Sequence, residues 1–502
     1  MCSTKVPNYI IVIFLGLLSF LIYANSLHGE FLVDDYNGIL ANAKIHGLKT
    51  YFRDSFSLKP SVLWDTAHAF IWHIGGDNPY YFHLFNVLVN AGCVVLLFIL
   101  LNNLFGNVAL SFLASLIFAL HPIHTEAISW ISGGHYVFSS LFFIAAMIFY
   151  VKSSGSLAYL SLAVVFFGLC FFSGNAAAVL PVMFISYDLF FRRNLSKKTK
   201  SLRVVILLLM LAIIALFMGI FFLGRNNYMH TIFNFRGASY LVVIAKALLY
   251  YLKLLYLPLQ RGLYHPFGYT AVDTAKLSPE FFAAIAIILI LVYLFFVCRK
   301  AASPVSFGII WFFIAYLPYS NILPICNIVS ERYMYLPSAG FSLILGWLFL
   351  KAWELINQQA LHKKMLRYLA VAAISFFLGS YAALTLRHNL EYNDLFTFWE
   401  TNIMNFPEGY LAYNNLAGTY YAMGEREQAI AYSWVNLMIN PKQAHVWCNL
   451  GKVYREKGDL KMAEECYRQA LEIDKSFMPA CAGLEDINKL KKPKQKNKLK
   501  AK

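Results

Sequence analysis

Tyr9–Ala24 reads YIIVIFLGLLSFLIYA, and a few residues later comes Phe31-Leu32-Val33-Asp34-Asp35. The first stretch is an unbroken apolar run, and the second sets two adjacent carboxylates just beyond its end. An acid at membrane depth costs about 2.5–3.5 kcal/mol on insertion scales, so ionisable residues beside a spanning helix are functional candidates. A solvated loop, or the N-cap of a helix starting near Tyr36, accounts for the same pair, because Asp accepts hydrogen bonds from exposed backbone N–H groups. The rest of the chain bears on that choice.

Of 502 residues, 59% are hydrophobic and 14% charged. Apolar runs this frequent exceed what a soluble core needs and predict a polytopic α-helical membrane protein. Segments near the ~20 residues required to span hydrocarbon fall at 9–24, 82–104, 107–120, 137–151, 157–173, 176–191, 203–223, 281–298, 304–320, 336–353 and 366–386, about eleven crossings. Lys5 precedes the first, but no small-residue cleavage site follows, so it reads as an uncleaved anchor. The net charge of +16 gathers in short loops and in the tail Lys489–Lys502, reporting topology and membrane contact, with no nucleic-acid motif beside it. The eight cysteines show no CxxC pair, so neither a zinc site nor a disulfide framework is implied.

Orientation follows from cationic loops. Arg192, Arg193, Lys197, Lys198, Lys200 and Arg203 form one cluster, Arg299 and Lys300 a second, and His362, Lys363, Lys364 and Arg367 a third. All three share a side if 238–257, with Lys246 and Lys253 in its apolar run, lies in the interface or re-enters, both lysines snorkelling. The N-terminus is then cytoplasmic. The Asp34-Asp35 loop, His121–His135, Asn321–Tyr335 and everything after Arg387 face outside. The sequon Asn194-Leu195-Ser196 falls in a cytoplasmic loop and should stay unmodified.

The first outer loop, Asn25–Tyr81, is too long for a plain connector and should hold one or two interfacial helices. Its Trp64, His68, Phe70, Trp72, His73, Tyr80 and Tyr81 form a band suited to the headgroup level. Past Arg387 the composition turns soluble. Tyr413, Leu416, Ala417, Tyr420, Gly424 and Ala429 recur 34 residues on as Trp447, Leu450, Gly451, Tyr454, Gly458 and Ala463, which is the tetratricopeptide period. The expected layout is a membrane domain at 1–387 and a repeat domain at 388–490. The repeats cover about 410–443 and 444–477, a capping helix 479–490, and a basic disordered tail 491–502.

Two further polar clusters share the outer face with the acidic pair. His121-Pro122-Ile123-His124-Thr125-Glu126 follows one spanning helix, and Ser330-Glu331-Arg332-Tyr333 precedes another. Metal binding competes with capping here. Acids that take a proton from a hydroxyl, with Arg or His to balance a phosphate leaving group, use the same inventory better, so no metal is assigned.

The acidic pair after the first helix, His-Pro-Ile-His-Thr-Glu-Ala with Trp130, Tyr187-Asp188-Leu189, Glu331-Arg332-Tyr333, Tyr335-Leu336-Pro337 and the repeats together resemble the transmembrane-and-tetratricopeptide O-mannosyltransferase-like family, over nearly the whole chain. That family is one of the GT-C glycosyltransferases. The resemblance implies a GT-C-like bundle and a lipid-phosphate-linked sugar donor. It also implies transfer with inversion to a protein or glycan hydroxyl, and no firm cofactor. Carried over by position, Asp34 or Asp35 is the general base or acceptor-orienting acid, while His121, His124, Glu126, His135, Glu331 and Arg332 line the donor cleft. Tyr413, Tyr420, Trp447 and Tyr454 present the acceptor or a protein partner. The chain departs from the family pattern twice. Gly133-Gly134-His135-Tyr136 stands where relatives usually carry Gly-Arg-Ala-Asp/Glu, and Ser173-Gly174-Asn175 stands for Ser-Lys-Glu, so four charges are absent. The alternative function is therefore a catalytically inactive membrane anchor for a repeat scaffold. A transporter fits less well, since its acids belong near the midplane and these clusters sit at helix ends.

Overall fold

The computed structural model describes residues 7–55, 59–153, 156–191, 197–223, 238–259, 277–298, 303–322, 325, 327–358 and 363–499. Among the described residues every regular element is a helix. Hydrocarbon leaves no other open structure, because each backbone N–H and C=O must be satisfied within its own segment.

All eleven apolar segments are helical. Six helices are long and apolar enough to cross alone, and Val108–Leu120 makes a seventh with Pro122–Ser129 across a 53° bend. Of the other four apolar helices, Leu157–Phe171, Asn175–Phe191 and Pro304–Tyr319 are shorter, and the fourth segment lies in Lys197–Leu223. Leu157–Phe171, at 15 residues, reaches only about 22 Å of a roughly 30 Å core. The expected eleven crossings are reached only if these four also cross. Among the described residues Ala238–Tyr256 does not figure as a candidate span. Arg192, Arg193, the Asn194 sequon, Arg299, Lys300 and His362 lie outside the described residues.

Local chemistry sets the turns. Asn78 caps Pro79–Phe105 by accepting from the Tyr80 N–H at 3.0 Å, with Pro79 filling the first helical position. Gly106 then ends that helix in the left-handed region at φ 61°, and Asn107 starts the next by accepting from the Leu110 N–H. Four residues, Phe105–Val108, thus stop one helix and start another. Inside the bundle the Tyr335 hydroxyl donates to Asn90 Oδ1 at 2.6 Å, and Asn90 Nδ2 donates to Ser19 Oγ at 2.9 Å. Buried polar groups gain little beyond satisfaction this way, but they fix helix register.

The described residues divide into two compact units, one running up to Asp394 and the other from Leu395 on. The first runs a few residues past Arg387, and its hydrogen bonds say why. Asn389 Nδ2 donates to the Ile22 carbonyl at 2.8 Å, Ser129 Oγ donates to Asn389 Oδ1 at 3.0 Å, and the Glu30 N–H donates to the Asn393 carbonyl at 2.7 Å.

In the second unit, Tyr410–Ala422 pairs with Arg426–Ile439 and Ala444–Lys457 with Leu460–Ile473. Gly424 and Gly458, at φ 84° and 89°, make the two equivalent tight turns that only glycine enters freely. Tyr467 is buried between helices, held at 3.0 Å from the point a Cβ on Gly451 would occupy. A further helix, Met478–Leu499, follows the repeats and continues beyond Leu490 through the lysine-rich segment expected to be disordered.

Candidate functional site

Asp34 and Asp35 part company. Val33, β-branched, sits at φ 42°, a conformation of the kind that costs about 1–3 kcal/mol and persists only where surroundings enforce it. Here the Asp35 N–H donates to the Leu32 carbonyl at 2.8 Å, and the Leu32 N–H donates back to Asp35 Oδ2 at 2.8 Å. This closed turn drives the Asp35 side chain inward to complete burial and leaves Asp34 exposed. Ser132 meets Asp35 there, its N–H donating to Oδ1 at 2.8 Å and its hydroxyl donating to the same oxygen. Oδ1 is thereby saturated, while Oδ2, with one donor, keeps a lone pair for a ligand. Burial pushes the Asp35 carboxyl up to about 7; the hydrogen bonds from Ser132 and Leu32 oppose the rise, and the Asp34 charge adds to it.

Glu126, fully buried, receives the Ser330 hydroxyl at 2.6 Å, the Arg332 N–H at 3.1 Å and the Arg332 guanidinium. Arg332 lies over the rings of Trp130, Tyr333 and Tyr136, 5.0, 5.4 and 5.7 Å from their centroids. Burial disfavours its charge, but Glu126 together with Tyr136 and Tyr333 outweighs that and holds it protonated. Glu331 is buried beside it. The Tyr251 hydroxyl, from Ala238–Tyr256, donates to the Ser330 carbonyl at 3.1 Å and accepts from the Ser330 N–H at 2.8 Å, fixing the segment that carries both residues.

Trp130-Ile131-Ser132 is where the three polar clusters meet. Its indole donates to the Leu32 carbonyl at 3.4 Å while the ring face supports Arg332, and two residues later Ser132 holds Asp35. His135 adds an imidazole, its Nδ1–H donating to the Ser132 carbonyl at 2.8 Å. The structure thus brings Asp35, Glu126, Arg332, Glu331 and His135 together.

His121 and His124 turn the other way. His121 accepts from the Ile123 N–H at Nδ1 and donates from Nε2 to the Leu255 carbonyl, which fixes the neutral Nε2–H tautomer. The Ser338 hydroxyl donates to the Tyr335 carbonyl and so must accept from His124 Nε2–H at 2.7 Å. Both rings are almost wholly enclosed, and these bonds brace the helix ends. In the repeat unit, Tyr420 stacks on Tyr432, Tyr454 accepts from the Trp434 indole at 3.1 Å, and Trp447 packs edge-on to Trp434. With Tyr413, they are half-buried in the repeat packing, each with an edge left open. Among the described residues no group of His, Cys, Asp and Glu is arranged to hold a metal ion.

Gly134 and Gly174, where the sequence departs from the expected motif, have a defined environment. A Cβ at Gly134 would overlap the Asn86 carboxamide, and one at Gly174 would sit 3.2 Å from Ser139 and 3.7 Å from the His135 carbonyl. Asn86 spends its amide on the carbonyls of Ile128, Trp130 and Ile131, at 3.2–3.4 Å. So a neutral side chain fills the space at Gly134 and props the Trp130–Ser132 segment. Sequence reasoning passed over Ser132 and Asn86, since each acts through a backbone geometry that residue type does not announce.

Residues 444–477 match the family of tetratricopeptide repeats. Over 91% of its length the chain is 24% identical to human "Protein O-mannosyl-transferase TMTC3", covering 54% of that protein. Over 95% it is 24% identical to "Protein O-mannosyl-transferase F38B6.6" of Caenorhabditis elegans, covering 64%. A shorter stretch, 28% of the chain, is 32% identical to mouse "Protein O-mannosyl-transferase TMTC2". The chain spans between about half and two thirds of the length of the first two relatives. No solved structure matches it. The resemblance read from the motifs is shown by these relatives, and the chain is a multi-pass helical membrane protein with a tetratricopeptide repeat.

Proposed function

We propose that this chain, a relative of curated protein O-mannosyl-transferases over nine tenths of its length, is itself a membrane glycosyltransferase. It moves a hexose, in the first instance mannose, from a polyprenyl- or dolichyl-phosphate donor to a hydroxyl of a protein or glycan on the outer face. The observation that carries the reading is the junction at Trp130–Ser132, with an acid of raised pKa on one side and a paired guanidinium on the other. A general base works best with a pKa near the operating pH. In the reaction, Asp35 Oδ2 takes the acceptor's hydroxyl proton as its oxygen bonds to the anomeric carbon. The bond from that carbon to the phosphate oxygen breaks on the opposite side, giving inversion. Arg332 meets the departing phosphate. Its charge is already half spent on Glu126, which suits a phosphodiester carrying one negative charge before transfer. Asp34, exposed and outside this geometry, contributes less. The repeats recruit the protein acceptor or a partner through the open edges of Tyr413, Tyr420, Trp447 and Tyr454.

The test is transfer by the purified full chain from a panel of lipid-phosphate hexoses to hydroxyl-bearing peptides and glycans. The reading expects inverted product with at least one donor. No transfer across the panel by a folded chain, with acceptors in excess, leaves the scaffold alternative standing.

The orientation goes with it: an N-terminus in the cytoplasm and repeats outside, lumenal or periplasmic. A reporter active only in the cytoplasm, fused after Ala417, should be silent. Full activity there would reverse the topology.

A further inference from the structure

Helix Val62–Gly75 of the first outer loop carries a group the mechanism above does not use. His68 is 5% exposed, and its Nε2 is buried with no hydrogen-bond partner among the described residues. The ring lies 4.2 Å from Trp64 and 5.4 Å, edge-on, from Phe82, so its immediate walls are apolar. Trp64 in turn lies 6.1 Å from His135, the residue whose Nδ1–H holds the Ser132 carbonyl. Burial pushes the His68 imidazole down to about 3, and the neighbouring His135 adds to that fall. His68 is therefore uncharged at any physiological pH. A buried nitrogen left without a partner is unfavourable, and buried polar groups are almost always satisfied. His135, across Trp64 from His68, keeps partial exposure, as do Ser132 and Tyr136 next to it in sequence, so this corner borders the proposed site.

We propose that His68, with His135, is a specificity-determining contact for the donor's hexose, its unpartnered Nε2 completed by a sugar hydroxyl when the donor binds. The inference rests on the glycosyltransferase reading and deepens it. The two ends of the site differ in kind: Arg332 offers charge to the phosphate, whereas the His68 corner offers only a neutral donor or acceptor between aromatic walls. A neutral corner suits a polyol and gives nothing to an anion. The sugar is thereby oriented with its ring toward Trp64 and His68 and its phosphate toward Arg332. A site built to hydrogen-bond a hydroxyl discriminates strongly against a ligand that lacks it.

The experiment compares binding of a short-chain prenyl phosphate with that of the same prenyl phosphate bearing mannose, by thermal shift and titration on the full chain in nanodiscs. Wild type should bind the mannosyl compound at least tenfold more tightly than the bare phosphate. His68→Phe, which keeps a flat ring among aromatic neighbours, should bind bare prenyl phosphate as wild type does and lose most of that tenfold difference. His68→Gln, which restores an amide donor and acceptor, should recover part of it. If His68→Phe folds and retains the full mannose-dependent difference, the assignment is wrong; if it fails to fold, a folded His68→Gln variant with a reduced but measurable mannose-dependent difference supports the assignment, and one with the full wild-type difference across a deoxy-mannose series overturns it. Wild type binding bare and mannosyl phosphates equally also overturns it. Binding of neither compound marks the failure of the glycosyltransferase reading, and this inference falls with it.

Discussion

Asp35→Asn is expected to leave the chain folded and to lower turnover by about 10²–10⁴, the range for removing general acid–base help. The variant keeps the size of the side chain, and its one oxygen can still accept from the Ser132 N–H and hydroxyl, while the amide nitrogen that replaces Oδ2 no longer accepts from the Leu32 N–H. What it loses is the lone pair that takes a proton. The pH profile separates this from a merely structural effect. Because burial raises the carboxyl to about 7, kcat/KM of wild type should climb as pH rises through that value, where the base ionises. The Asn variant should show no such limb. Stability moves the other way, and the sign follows from linkage. Between the ordinary value of 3.8 and about 7 the folded chain keeps a proton that the unfolded chain has released. Relative to Asp35→Asn, in which the depressed pKa of the buried His68 acts equally, wild type therefore loses stability across that window and no more above it. Steady-state rates and apparent Tm between pH 4 and 8 check both limbs.

Arg332→Met is expected to be the most damaging single change at the site. It leaves Glu126, completely enclosed, as an unpaired buried carboxylate, and removing one partner of a buried pair typically costs about 3–5 kcal/mol. The same substitution withdraws the group that lies on Trp130, Tyr136 and Tyr333. Glu126→Gln added to Arg332→Met should recover a large part of the lost stability, because the stranded charge is gone, yet no activity, because the phosphate still lacks its guanidinium. Apparent Tm and monodispersity in detergent measure the first effect, and transfer rate the second. Equal stability of the single and double variants would show that the Glu126 charge is not what Arg332 holds in place.

Much of the fold was legible because hydrocarbon imposes long apolar runs whose length alone predicts a helix, and the 34-residue period needed no structure to be seen. The weaker point was crossing number, since a short helix such as Leu157–Phe171 reads like a long one until its ends are fixed. At the candidate site, residue type and the expected shared face grouped Asp35, Glu126, Glu331, Arg332 and His135, side chains that the fold gathers around Trp130–Ser132. They failed to separate Asp34 from Asp35, because the separation depends on the backbone of Val33 and on Ser132, neither of which looks chemical in a sequence. They also grouped His121 and His124 with the site, where hydrogen bonds to Leu255 and Ser338 turn both inward. His68 was read as one more ring at the membrane interface. Only burial shows that it belongs to the other face of its helix.

The central claim is that Asp35 and Arg332 serve one site, and a double-mutant cycle on kcat/KM tests it most directly. Arg332→Lys keeps the positive charge beside Glu126 and loses the planar fork, so the comparison is made on folded protein. Groups acting as a unit are far from additive. The Asp35→Asn, Arg332→Lys double variant should therefore lose much less than the product of the two single losses. Strict additivity, each loss multiplying the other in full, would place the two residues in independent roles and contradict a shared site.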